Sequence, residues 1–185
     1  ILAVLGVIFH VLRAAGICDM SSSLGIKNPW YSFVPVLDAY AFGRLSARGK
    51  KSAVSVVYAV IELIFWGLAA AVAVTAVFGW IDLLFAADKA LAAGKELSVA
   101  DFSVISKIIL PMFLLGIVAV ARKVFSAICA YKVFKIFKPN LAVVFTVISV
   151  VLSVALPILL FSVRNNSPFD KKESDDARLS GFSIE

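Results

Sequence analysis

Apolar positions run along this chain in long blocks, and the few polar points that interrupt them define its elements. Residues 1–17 are apolar apart from His10 and Arg13 and predict a first membrane span, followed by a Ser21-Ser22-Ser23 turn within Cys18 to Leu24. The apolar run before Arg13 is shorter than the roughly 20 residues a span needs. The chain also opens without an initiator Met, so the expectation is a truncated first helix with residues missing upstream. A signal peptide is the weaker reading, because the region has neither a basic start nor a small-residue cleavage site. A second span is expected at 60–84, where Leu63 to Ile81 carries no charge and Glu62 and Asp82 flank the run. The third, 102–121, is interrupted only by Lys107 and by Pro111, which membrane helices tolerate when neighbours satisfy the freed carbonyl; Arg122 and Lys123 close it. The fourth, 141–163, has no charge at all, is stopped by Arg164-Asn165-Asn166 and Pro168, and gives the clearest span signal.

Two segments follow another pattern. Residues 25–46, GIKNPWYSFVPVLDAYAFGRLS, are apolar but broken by Pro29 and Pro35. Asn28-Pro29 has the chemistry of a cap followed by proline at the first helical position. Trp30, Phe33, Val34 and Leu37 then share one helical face, and Pro35 should kink or split the helix. Trp30, Tyr31 and Tyr40 are rings suited to the headgroup level, so this segment reads as interfacial or re-entrant, with Trp30, Tyr31, Phe33, Tyr40 and Phe42 as candidate interface residues. Val124 to Lys138 sets Lys132, Lys135 and Lys138 at i, i+3, i+6 against Phe125, Ile128, Val133, Phe134, Ile136 and Phe137, the pattern of a basic extension lying on the membrane surface. The tail at 167–185 is charged, mixed in sign and poor in apolar residues, which predicts disorder.

Composition agrees with this reading and narrows it. The 185 residues are 62% hydrophobic and 16% charged, well outside the roughly 45–50% apolar and 25% charged of soluble domains. The fold class expected is an all-α membrane protein of about four transmembrane helices in one domain. A net charge of +6 would raise nucleic-acid binding in a soluble protein, but here the cations lie in clumps between apolar blocks and follow the positive-inside rule. Lys27, Arg44, Arg48, Lys50 and Lys51 fall in the first connection, and Arg122, Lys123, Lys132, Lys135 and Lys138 in the third. The middle connection carries Lys89, Lys95 and, at its edge, Lys107. Connections 25–52 and 122–140 are therefore expected to be cytoplasmic, the loop at 86–103 external, and both termini outside if all four spans cross. The tail cations argue mildly the other way.

Little in the chain points to chemistry. With His10 as its one His the chain is not expected to hold a Ser/His/Asp set, and no GxSxG elbow, phosphate-binding glycine loop, HExxH or CxxC is present. Cys18 and Cys129 are isolated in apolar settings and read as packing residues. The expectation is no enzyme activity, no cofactor and no metal. Ionisable groups inside spans are the remaining candidates. His10 and Arg13 share a helical face and suit a proton or anion site, or else a snorkelling helix end. Glu62 is expected either to pair with His10, Arg13 or a cation of the first connection or to be exposed at the interface, and Asp38 to cap a short helix or pair with Arg44. The small-residue run Gly67 to Ala76 permits close helix approach, either within the chain or with a partner.

The segment carrying Gly25, Ile26, Lys27, Trp30, Pro35 and Asp38, together with the later YKVFKIFKPNLAVVFTVISVVLSVALPILLFSVRNN, resembles a family of small uncharacterised multi-span membrane proteins of Clostridia-like, Gram-positive bacteria. Asp38 stands where those proteins often carry Asn. The likeness covers most of residues 1–166 and implies a multi-pass protein of a Gram-positive plasma membrane, without implying an activity. The functional expectation is a non-enzymatic membrane subunit or scaffold that binds other membrane proteins or itself within the lipid bilayer. The rival is a small transporter or channel component with a polar path near His10, Arg13 and Glu62.

Overall fold

The computed structural model describes residues 2–50, 52–92 and 103–168, so most of the expected external loop and nearly all of the tail lie outside the described residues. Among the described residues every regular element is helical: α1 Leu2–Ser23, a 3-10 segment Pro29–Phe33, α2 Pro35–Ser46, α3 Ala53–Ala92, α4 Ser103–Phe137, a 3-10 turn Pro139–Leu141, α5 Ala142–Val151 and α6 Ala155–Val163. In water the many β-branched residues of α3 would make it a mediocre helix. In lipid no water satisfies the backbone, so each amide must be bonded within its own segment and the helix is the form left to it. Among the described residues three helical stretches, Val4–Ser23, Ala53–Lys89 and Ile109–Phe137, are long and apolar enough to cross a membrane. The protein is an all-α membrane protein.

Helix boundaries differ from the blocks of the sequence in four places, one being α3, which covers Ala53–Ala92 rather than 60–84 and so runs into the expected external loop. The first helix continues past Ile17 through the expected turn to Ser23. The helix α4 does not end at Arg122-Lys123 but runs on for 35 residues in all, about 52 Å at 1.5 Å per residue, so the expected surface-lying extension is its continuation. The uncharged stretch 141–163 is two helices of 10 and 9 residues, about 15 and 14 Å long, each roughly half a hydrocarbon core. Pro157 accounts for that break: it has no N–H for the carbonyl four residues back, and its ring crowds that carbonyl. Leu152 is extended (φ −108°, ψ 95°), and Pro157 falls in the first turn of the new helix, where proline is tolerated.

The chain divides into two compact units, residues 1–60 with 123–185, and residues 61–122. The first unit has a packed core built from Ile17 and Met20 of α1, Phe42 and Leu45 of α2, Tyr58 of α3, Cys129, Val133 and Phe134 of α4, and Leu160 of α6. Small residues allow its closest approaches. A Cβ on Gly16 would lie 2.9 Å from the Leu160 carbonyl carbon, and one on Gly43 would lie 2.5 Å from the Ser55 Cα. Backbone of α1 thus rests on α6, and backbone of α2 on the start of α3. Gly43→Ala is expected to lower stability by about 1–3 kcal/mol, the usual overpacking cost, read as a drop in the thermal unfolding midpoint of detergent-solubilised protein. An unchanged midpoint would show that α2 and α3 are not in backbone contact.

The second unit is different in kind. Leu63, Ile64, Val74, Val77, Phe78, Trp80, Leu84 and Phe85 of α3 are exposed, as are Ile109, Leu110, Met112, Phe113, Ile117 and Val120 of α4. A helix that is apolar all round belongs in lipid or against other apolar helices.

Candidate functional site

Arg13 is the centre of the polar structure in the first unit. It lies midway along α1, and the packing of α1 against the 3-10 segment and α2 brings Asp38 to it from the first turn of α2. The Arg13 Nε faces Asp38 Oδ2 at 3.2 Å, with the side chains 15% and 6% exposed. From another branch of the fork, Nη2 donates to the Tyr58 hydroxyl at 3.5 Å, and the guanidinium carbon lies 5.3 Å from the centre of the Phe42 ring. One cation thereby joins α1, α2 and the first turns of α3. An acid in the first turn of a helix is also favoured by the helix dipole, so α2 helps hold the charge of Asp38. The His10 ring, one turn before Arg13, donates from Nε2 to the Phe33 carbonyl oxygen at 3.2 Å and so ties α1 to the 3-10 segment.

These partners differ from those the sequence suggested. Asp38 does not cap α2: the residue at the cap is Val34, with no side-chain cap bond, and the carboxylate faces Arg13 rather than Arg44. Arg44 lies over the Tyr40 ring at 5.9 Å and donates to the Lys27 carbonyl oxygen at 3.4 Å. Asn28 precedes Pro29 as expected, but in a left-handed conformation (φ 60°) without a side-chain cap; its amide donates to the Tyr31 hydroxyl at 3.2 Å. Trp30, Phe33, Val34 and Leu37 are each exposed, but they are divided between the 3-10 segment, the Val34 junction and α2 rather than carried on one continuous helix. Among the other candidate interface residues Tyr31 and Tyr40 are half-buried, while Phe42 is fully buried, drawn inward beneath Arg13 and unable to serve an outer face.

No match to this chain came from family models, curated proteins or solved structures.

In the second unit Glu62 pairs with Arg122, a residue the sequence had placed at the end of a span. Arg122 Nε donates to Glu62 Oε2 at 2.6 Å, Trp66 Nε1 donates to Oε1 at 3.1 Å, and the Arg122 guanidinium lies 4.6 Å from the centre of the Phe65 ring. Both carboxylate oxygens are thus occupied, and Glu62 is 4% exposed. None of the expected partners of Glu62, which were His10, Arg13 or a cation of the first connection, is the one observed. Sequence alone carried one signal for this pair, since an acid one turn into a span needs a cation at matching depth in another.

Two further polar features belong to the first unit. Lys123 donates to the Ser153 hydroxyl at the break between α5 and α6, which anchors the Leu152–Val154 interruption to α4. A cavity of about 310 Å3 is lined by Ser46, Ala47, Arg48, Lys50, Lys132, Lys135 and Ile136. Among the described residues no three His, Cys, Asp or Glu side chains gather as a metal-binding set.

Chemically, the Arg13 and Glu62 clusters hold opposite charges in contact inside a membrane protein.

Proposed function

We propose that this chain is a non-enzymatic membrane subunit that associates with other membrane proteins, or with further copies of itself, in the plasma membrane of a Gram-positive bacterium. The observation that carries this reading is the second unit, whose apolar side chains on α3 and α4 point outward and whose small-residue run on α3 is open. A Cβ on Gly67 would meet nothing within 4 Å, so that stretch of helix is accessible to another helix. Close approach at small residues is how helices associate in lipid, where no hydrophobic force acts between them. The basic connections 25–52 and 122–140 then face the cytoplasm, which is supported by the cavity where cations of both, Arg48 and Lys50 with Lys132 and Lys135, come together.

Purification in a mild detergent, followed by native mass measurement, tests the association. The wild-type chain is expected in a defined assembly, and Gly67→Leu is expected to weaken that assembly several-fold, since the added side chain separates the helix backbones. A wild-type chain that is monomeric and alone would sink the proposal.

A second reading, a transporter or channel component, draws on the broken helices. Interrupted helices buried against protein are a feature of solute paths, and Arg13 with Asp38 lies beside one such break, the Val34 junction between the 3-10 segment and α2. Against it, Arg13 and Glu62 each already face an opposite charge. Solute or proton flux in proteoliposomes that vanishes on His10→Ala or Glu62→Gln, with assembly intact, would favour transport.

A further inference from the structure

The cavity of the first unit gathers positive charge from two distant parts of the chain. Arg48 and Lys50 come from the turn after α2, and Lys132 and Lys135 from the last turns of α4; none of the lining residues is acidic. The turn is held in one shape: Gly49 N–H donates to the Arg44 carbonyl at 2.9 Å, Arg48 N–H to the Leu45 carbonyl at 3.0 Å, and Arg48 and Gly49 both take left-handed backbone (φ 53° and 79°). Those bonds fix the backbone that carries the two cations of the turn. Four cations gathered at one cavity make it a favourable place for an anionic group.

We propose that this cavity binds the phosphodiester group of an anionic phospholipid. Its position argues for a lipid rather than a dissolved anion. One wall, Lys132 to Ile136, belongs to the end of the apolar stretch Ile109–Phe137, and the other, Ser46 to Lys50, comes just before the apolar stretch that opens at Ala53. Both walls are thus placed at the ends of candidate spans, the level at which lipid phosphates lie. Tyr131, exposed and 5.9 Å from Lys135 at its ring centre, supplies an amphipathic ring suited to that level. Basic pockets at the ends of membrane helices are known receptors for acidic headgroups, and the volume of about 310 Å3 lies at the small end of ligand sites, enough for a phosphate and its glycerol. Lysine ammonium groups serve it as point charges.

The full chain in neutral detergent, titrated with phosphatidylglycerol or phosphatidylcholine and counted by native mass spectrometry, tests this. Phosphatidylglycerol is expected to be retained and phosphatidylcholine not. The double variant Lys132→Gln/Lys135→Gln is expected to lose roughly tenfold or more in phosphatidylglycerol affinity, two cations' worth of attraction. Lys27→Gln/Lys138→Gln removes the same charge outside the cavity and is expected to bind as wild type. An equal loss in both double variants would mean diffuse attraction and overturn the site. Inorganic phosphate competing at the same concentration as the lipid would assign the cavity to a dissolved anion and overturn the lipid. A gain in lipid binding on removing residues 169–185 would make the chain's own acidic tail the occupant and overturn it too.

Discussion

Replacing Asp38 with alanine is expected to destabilise the first unit by about 3–5 kcal/mol, the usual cost of removing one partner from a buried ion pair. The charge that remains is the reason. Arg13 sits in the middle of α1, 15% exposed at its side chain, and the substitution takes away the carboxylate against which that guanidinium is held. The Tyr58 hydroxyl at 3.5 Å and the Phe42 ring at 5.3 Å are neutral and soften the loss without matching it. Removing the cation by Arg13→Ala leaves the carboxylate of Asp38, 4% exposed, in the same position. Each single variant therefore leaves one half of a buried pair in place without the other, which the double variant does not. Arg13→Ala/Asp38→Ala should fall well short of the sum of its parts, with a coupling of at least about 1 kcal/mol. Fluorescence of Trp30, which lies in the first unit, reports the unfolding midpoint in detergent. If the two single losses simply add, the pair does not hold α1 to α2.

The position of this pair also shows how far the sequence could be read. The fold class follows from composition and from the apolar blocks, because lipid leaves a backbone little choice but the helix. Charge counting located those blocks well and their helix ends poorly. It treats Arg122 and Lys123 as an end, yet a cation with a partner does not stop a helix: Arg122 is taken up by Glu62, and Lys123 by Ser153. It also passes over Pro157, which carries no charge but accounts for the interruption between α5 and α6. The signal was present, as a proline deep in an uncharged run, and charge alone does not register it.

Partners were less legible than candidates. His10, Arg13, Asp38 and Glu62 stand out in sequence as ionisable groups in apolar surroundings, and all four are engaged by other residues. Which residue meets which depends on packing over long sequence separations. Arg13 reaches Asp38 because α1 lies along both the 3-10 segment and α2, and no local pattern encodes that. Phe42 and Tyr40 look equivalent as aromatics two positions apart, but that spacing puts them on different sides of α2, Phe42 under Arg13 and Tyr40 beside Arg44.

The same asymmetry makes the second unit the place for the other large effect, and here the two single variants should differ. Arg122→Ala is expected to cost about 3–5 kcal/mol, because Glu62 is almost entirely enclosed, 6% exposed at its side chain against 32% for Arg122, and would keep only the Trp66 indole N–H of its two donors. Glu62→Ala is expected to cost less, roughly 2.5–3.5 kcal/mol, the scale of an unmatched charge in a membrane helix. An arginine can bend its long apolar stem to bring the guanidinium to a wetter level, and a buried glutamate has no such reach. The double variant Glu62→Ala/Arg122→Ala should recover much of the loss, since it buries no charge. Unfolding followed by the fluorescence of Trp66 and Trp80, both in this unit, would rank the three. A Glu62→Ala loss larger than that of Arg122→Ala would mean that the carboxylate, not the arginine, has the easier route to water, and the ranking argued from exposure would fail.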